Sequence, residues 1–179
     1  MTVTEQLIPT GTWQADTTHS SVDFEVRHMV VATFRGGFED FAATLESGDE
    51  GVRLAGSVKA ESLKVRDENL AGHLRSPEFF DTERYPEIRF ESTSLRRDGD
   101  EVVLEGDFTI KDVTKRIDAR GTLVDAHEDA YGGTRIGLEL TAVVDRRDYG
   151  LNWNMELPKG GYALGNDVKL IVRLELVKA

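Results

Sequence analysis

Val168-Lys169-Leu170-Ile171-Val172-Arg173-Leu174-Glu175-Leu176 places an apolar side chain at every even position. The same phase runs through Val22-Asp23-Phe24-Glu25-Val26-Arg27-His28 and through Ile136-Gly137-Leu138-Glu139-Leu140-Thr141-Ala142-Val143-Val144. A period of two sends alternate side chains to opposite faces of a strand, so each segment buries one face and wets the other. A chain of many such strands hides its edges by curling or closing, and a closed sheet encloses an interior. The pattern points to containment of something apolar rather than to chemistry upon it.

Working outward, strands are expected over 11–14, 21–30, 36–45, 52–60, 87–95, 101–110, 115–123, 134–147 and 168–178. Turn residues punctuate them at Ser47-Gly48-Asp49-Glu50-Gly51, Asp98-Gly99-Asp100, Lys111-Asp112-Val113-Thr114 and Tyr131-Gly132-Gly133. Connections this short favour an antiparallel meander, and nothing alternates strand with helix as a parallel sheet would require. No repeat, low-complexity tract or linker divides the chain, so residues 1–179 read as one domain with 1–10 as a flexible N-terminal extension. Residues 67–80 break the pattern. Leu70 and Leu74 fall on one helical face, and Ser76-Pro77-Glu78 has the form of an N-cap followed by proline at the first helical position. Such an insertion, carrying Leu70, Leu74, Phe79 and Phe80, is either a lid over an open barrel end or a plug of that end. The glycine-bearing stretch 148–165, with Tyr149, Trp153, Met155 and Tyr162, is likewise a gate or a packed crossover.

The 33 acidic and 22 basic residues give a formal net charge of −11, which repels a nucleic-acid backbone or an anionic membrane surface. Without cysteine, disulfides and thiolate metal sites are excluded. The opening Met1-Thr2-Val3-Thr4-Glu5-Gln6-Leu7-Ile8-Pro9 has neither the basic nor the apolar region of a secretory signal, so a cytoplasmic protein is expected. No apolar run approaches the ~20 residues of a membrane span, so no stable membrane insertion is expected.

The residues do not assemble a catalytic site. His19, His28, His73 and His127 lack metal-ligand spacing, Gly-x-Ser-x-Gly does not occur, and there is no phosphate loop or dinucleotide fingerprint. Carboxylates such as Glu78, Asp81, Glu83, Glu87 and Glu91 are too numerous for any pair to be informative. No catalytic residue, metal or cofactor is therefore expected. Phe24, Phe34, Phe38, Phe41, Phe90 and Phe108 fall in or beside strands, and they suit either a solid core or the wall of a ligand cavity, since a small eight-stranded barrel can be filled or can hold one ligand.

One resemblance spans nearly the whole chain. Trp13-Gln14-Ala15-Asp16-Thr17-Thr18-His19-Ser20-Ser21-Val22-Asp23-Phe24 resembles the opening of the YceI-like family, and Val26-Arg27-His28 followed by Gly36-Gly37-Phe38 continues it. The stretch from Arg66-Asp67 through His73-Leu74-Arg75-Ser76-Pro77-Glu78-Phe79-Phe80-Asp81 to Tyr85-Pro86-Glu87-Ile88-Arg89-Phe90 is similar to the family's most distinctive part. Gly106-Asp107-Phe108-Thr109-Ile110-Lys111-Asp112-Val113-Thr114-Lys115 and Arg147-Asp148-Tyr149-Gly150 complete it. The family's Arg-Asp-x-His-Leu is altered: aligned on His73-Leu74, its first two positions hold Leu70-Ala71.

The resemblance implies an all-β, extended antiparallel eight-stranded lipocalin-like barrel with a short helical lid insertion. It also implies a non-catalytic carrier that holds a long-chain lipid, a polyisoprenoid or an isoprenoid quinone, in the lumen. Phe24, Val26, Phe34, Phe38, Phe90, Phe108, Ile110, Leu138, Leu140 and Trp153 are the expected lining, with Leu70, Leu74, Phe79 and Phe80 at the lid. Arg27, His28, Arg66, His73 and Arg75 are candidates for the mouth and the head group, or else plain surface charge. Strands of ~10 residues span ~33 Å, room for an extended tail. Two other readings stand beside this one: a solid barrel working as a stress-response or interaction module through its acidic surface, and a lipid-acting hydrolase with a titratable pair in the lumen. Exposed sheet edges are compatible with a homodimer.

Overall fold

The computed structural model describes residues 6–179. Its elements are β1 (Gly11–Ala15), β2 (Ser21–His28), β3 (Ala32–Phe38), β4 (Phe41–Gly48), β5 (Gly51–Lys59), β6 (Leu63–Lys64), α1 (Glu68–Arg75), β7 (Glu87–Asp98), β8 (Glu101–Ile110), β9 (Val113–Glu128), β10 (Thr134–Asp145) and β11 (Leu164–Lys178). All strand pairings are antiparallel. β11 meets β10 on one side, and on the other it meets first β2 (Val172 opposite Val22) and then β1 (Lys178 opposite Trp13). β1 and β2 thus lie end to end. β3 and β4 do the same against them, with Phe34 opposite Val26 and Leu45 opposite Trp13. Counting each such pair as one stave, the sheet closes as an antiparallel eight-stranded barrel through β4–β5–β7–β8–β9–β10–β11.

The one strand expected over 36–45 is therefore two. β3 starts earlier, at Ala32, because the chain reverses at Met29-Val30-Val31, and Glu39-Asp40 interrupts it before β4. The expected strand 21–30 accordingly ends at His28. The β8–β9 hairpin closes through Lys111-Asp112, both with positive φ (51° and 59°), the backbone of a tight primed turn that follows the twist of its strands.

Asp67, not Ser76, caps the helix: its side chain accepts from the Leu70 amide at 3.0 Å. Ser76 closes the helix instead. Its backbone is extended (ψ 167°), as a residue before proline prefers, and its hydroxyl donates to the His73 carbonyl at 2.6 Å. The chain then doubles back, the Phe80 amide donating to the Leu74 carbonyl at 3.0 Å, so Phe79 and Phe80 return toward the face of Leu74.

The interior divides into two clusters. At the end holding the β4–β5, β7–β8 and β9–β10 hairpins, Trp13, Leu45, Leu104, Leu138 and Leu176 pack solidly with Ile8. The reading of 1–10 as a flexible extension falls partly outside the described residues; the described part is instead built into this plug. Ile8 is fully buried, its carbonyl accepts from Ser47 Oγ at 2.7 Å, and the Pro9 carbonyl accepts from Trp13 Nε1 at 3.1 Å. An apolar residue at the open base of a barrel gains more by packing than by remaining in solvent. The second cluster, with Phe24, Leu74, Phe79, Ile110, Val144 and Leu151, surrounds the opposite end.

Candidate functional site: an apolar cavity in the barrel

Between the plug and the helical end lies a cavity of about 480 Å³, within the range of about 300–1,000 Å³ of small-molecule sites. Its wall follows the even phase of the sequence: Leu104, Phe108 and Ile110 on β8, Leu140, Ala142 and Val144 on β10, and Val168, Leu170, Val172 and Leu174 on β11. The six-residue step from Leu104 to Ile110, or from Val168 to Leu174, makes it span roughly 20 Å of strand at ~3.3 Å per residue. That is shorter than a whole stave because the plug fills the remainder.

Of the expected lining, Phe24, Val26, Phe34, Phe38, Phe90, Phe108, Ile110, Leu140 and Trp153 border the cavity, as do Leu70, Leu74, Phe79 and Phe80. Leu138 does not. Its side chain points inward, as its parity requires, but at the height of the plug, where it is 1% exposed among Trp13's neighbours. The aromatic groups touch one another in chains. Phe24 lies tilted between Phe34 (6.2 Å) and Phe38 (5.9 Å), and Phe38 meets Phe80 edge-on at 5.8 Å, joining the barrel wall to the segment after α1.

The five mouth candidates separate. His28 and His73 border the cavity. His73 stands edge-on to Phe79 (4.9 Å) and Trp153 (5.0 Å), with Nε2 2.6 Å from Glu78 Oε2. Arg27, Arg66 and Arg75 do not border it. Arg27, at an odd and outward position, donates to the Val30 carbonyl at 2.8 Å. Arg75 turns back to the carbonyls of Glu61 (3.1 Å) and Leu63 (3.0 Å), holding α1 against β6, and Arg66 is exposed on the approach to α1.

Arg146 was not among the expected site residues. It continues the even inward phase of β10 past Asp145 and is buried at the cavity wall. The guanidinium is held by carbonyls alone: Leu151 (2.5 Å), Gly165 (2.8 Å), Trp153 (2.9 Å) and Leu164 (3.4 Å). Burial lowers its pKa, partly opposed by Asp145. Parity alone pointed to this position, but a second arginine beside it, Arg147 paired with Asp145 at 2.7 Å, conceals which of the two turns inward. Tyr149 is buried edge-on to Phe108 at 5.5 Å, and burial pushes its hydroxyl up to about 12.

One cluster of titratable groups lies off the cavity. Asp16, His19 and Glu175 bring donor atoms within 4.8 Å of one another, the geometry a metal ion would need, but the group sits on the outer wall and Arg135 Nη1, 2.9 Å from Asp16 Oδ2, already supplies its positive charge. Among the described residues, no helix is long and apolar enough to cross a membrane.

Comparison with known proteins agrees with this architecture. The family model described as the YceI-like domain matches residues 13–176. UPF0312 protein SA2479 of Staphylococcus aureus (strain N315) is 31% identical, the match covering 86% of this chain and 90% of that protein. The crystal structure of Burkholderia cenocepacia BcnA superposes with a TM-score of 0.74 at 16% identity, over 92% of this chain and 99% of that one. A structure described as a polyisoprenoid binding domain from Saccharophagus degradans implicated in plant cell wall breakdown superposes with a TM-score of 0.66 at 12% identity, over 93% and 98%. A lipocalin-like barrel, a cavity that follows the alternating phase of the strands, and a family match from Trp13 to Leu176 agree on one conclusion: the chain belongs to the YceI-like domain family.

Proposed function

We propose that this protein is a non-catalytic carrier that holds one long apolar chain, a polyisoprenoid or the tail of an isoprenoid quinone, in its barrel. The observation that carries this reading is the cavity itself, closed at one end by the Trp13–Ile8 plug and walled almost throughout by aliphatic and aromatic side chains. Each methylene moved from water into such a wall contributes ~0.8 kcal/mol, so affinity comes from the tail. A wall that spans roughly 20 Å of strand takes up part of a long polyprenyl chain and leaves the rest, with the head group, toward the helical end. The polyisoprenoid binding domain superposing on the same barrel supports this choice of ligand.

A binding role is favoured over an enzymatic one by the polar groups of the wall. The titratable residues bordering the cavity are Asp23, His28, His73, Arg89 and Arg146; no hydrogen bond among the described residues joins any two of them, and the carboxylate bonded to His73, that of Glu78, is exposed and does not border the cavity. General acid–base or nucleophilic work needs such a pair within reach of one reacting centre.

The test is native mass spectrometry before and after incubation with a polyprenol or an isoprenoid quinone, together with organic extraction of the purified protein. A one-to-one adduct of isoprenoid mass is the expected result. Protein that is empty as purified and takes up neither compound would overturn the reading in favour of an interaction module acting through its acidic outer surface.

A further inference from the structure

Eight large apolar side chains are exposed on the described chain, and five of them stand together. Met29 (40% exposed), Val30 (57%) and Val31 (83%) form the β2–β3 hairpin tip, and Met155 (57%) and Tyr162 (55%) flank the loop before β11. The two loops are one surface. The Met29 amide donates to the Ala163 carbonyl at 2.7 Å, the Ala163 amide donates to the Met155 carbonyl at 2.8 Å, and Val30 packs so closely on Gly161 that a Cβ there would come within 3.2 Å of Val30 Cγ2. This surface frames the cavity. Met29 and its backbone partner Ala163 both border it, and His28 and Met29 are among its exposed lining residues.

The hairpin tip breaks two local rules at once. Met29 and Val30 have φ of 51° and 68°, a region that β-branched residues rarely occupy and that turn chemistry normally fills with glycine, asparagine or aspartate. The β8–β9 hairpin at the same end of the barrel has the same sign of φ but carries the polar pair Lys111-Asp112. Strained backbone and exposed apolar side chains thus coincide at the turn that borders the cavity, where local cost is commonly retained for function.

The chemistry of the rim selects what covers it. Five side chains on convex loop tips fall well short of the roughly 20–30 residues a side of a stable protein interface, whereas a bilayer accepts a convex tip without shape matching. Tyr162 has the apolar body and polar end suited to the membrane–water boundary. Although the chain carries −11, residues 27–31 and 155–162 hold Arg27, His28 and Lys159 against Glu156 alone, so the rim itself is not acidic, and the acidic remainder favours a surface of low charge. We propose that the Met29-Val30-Val31 tip and the Met155–Tyr162 loop form a docking rim that seats the open end of the barrel on a neutral lipid bilayer, so that the cargo passes between membrane and cavity without crossing water. The purpose of the rim rests on the lipid-carrier reading; docking itself does not.

The experiment is co-flotation of the full chain with phosphatidylcholine vesicles carrying a polyprenol, comparing wild type with Val31→Asp and, separately, Met155→Asp, both at exposed loop positions. Each variant is checked for folding by circular dichroism. Wild type is expected to float with the vesicles, and each variant to partition at least tenfold less. Uptake of vesicle-borne polyprenol should slow by a similar factor, while uptake from detergent micelles is unchanged. Folded variants that float as wild type does, or a wild type that does not float, would overturn the proposal. A wild-type dimer made monomeric by Val31→Asp, with neither form binding vesicles, would overturn it in favour of a contact between two copies. Rim-dependent flotation without polyprenol uptake from any source would sustain docking while removing the carrier reading.

Discussion

Arg146 Nη1 donates to the carbonyl oxygen of Trp153 at 2.9 Å, so a cation buried at the cavity wall holds the loop that brings an indole to the cavity's edge. The same side chain spans the carbonyls of Leu151 and Gly165 at either end of that loop. Among the described residues no carboxylate bonds to it. The charge is offset by backbone dipoles, which is costly in isolation and stable only because several carbonyls converge.

Arg146→Met should therefore destabilise the fold by about 2 kcal/mol: the lost hydrogen bonds and the stranded carbonyls outweigh the relief of a desolvated charge. Arg146→Lys should recover little, since one ammonium cannot span acceptors that a planar guanidinium reaches together. Urea midpoints measure both, and hydrogen exchange of residues 151–164 should rise in parallel. A midpoint unchanged by Arg146→Met would show the network to be neutral.

Leu138 and Phe108 have the same parity and different fates. Leu138 is enclosed in the plug, and Phe108 is a partly buried wall residue facing Tyr149. Leu138→Glu should cost at least about 4 kcal/mol, because the carboxylate has no partner and no water. Phe108→Glu should leave a folded barrel that no longer takes up a polyprenol. Thermal unfolding with ligand uptake separates the two effects. A folded Leu138→Glu protein deficient only in uptake would put the floor of the cavity below where the structure has it.

How far the sequence could be read follows from such pairs. Period two states which side chains face inward, and it did so for the wall; Arg146 lies on the same phase, although it was not read from it. It carries no height along the barrel axis. That depends on strand register and on what closes the base, so Leu138 reads like Leu140 although one is core and the other cavity wall. The plug was hidden for a second reason: Ile8 lies in a stretch without periodicity, and its burial comes with Leu45, Leu104, Leu138 and Leu176 and with the bond from Ser47, all distant in sequence. The hairpin at Met29–Val31 was illegible because its residues carry no turn signal and read as a continuation of β2. Arg27 and Arg75, read as mouth groups from charge alone, instead satisfy backbone carbonyls outside the cavity.

Gly72 lies on α1, exposed, with nothing within 4 Å of where a Cβ would stand. Glycine in an exposed helical position is less favourable than alanine by roughly 0.5–1 kcal/mol, mostly through the freedom it retains when unfolded. Gly72→Ala should raise stability by that order and slow exchange of the helix amides. A stabilised helix that also slowed polyprenol uptake would show that α1 moves during loading; unchanged uptake would show that it serves as a fixed cover.

The Asp16–His19 pair gives the protein a defined pH response. The hydrogen bond from His19, followed by that from Arg135, holds Asp16 down to about 2, and the bond to Asp16 in turn raises His19 above its ordinary value. Because the folded His19 value exceeds the unfolded one of roughly 6.5, its contribution to stability is complete below that pH and lost as pH rises through the folded midpoint. The folded Asp16 value lies below the ordinary 3.8, so its contribution is complete above 3.8 and lost as pH falls toward about 2. Both contributions coexist between roughly pH 4 and 6.5. Wild type should exceed His19→Gln in stability most within that window, by a small margin because the imidazole is solvent-exposed, and the difference should fade as pH rises through the folded His19 midpoint. An NMR titration reads the pair directly: the His19 midpoint should lie above the ordinary histidine value and fall in Asp16→Asn. A midpoint that Asp16→Asn leaves in place would remove Asp16 as its cause and leave Glu175, 3.6 Å away, as the group to replace next.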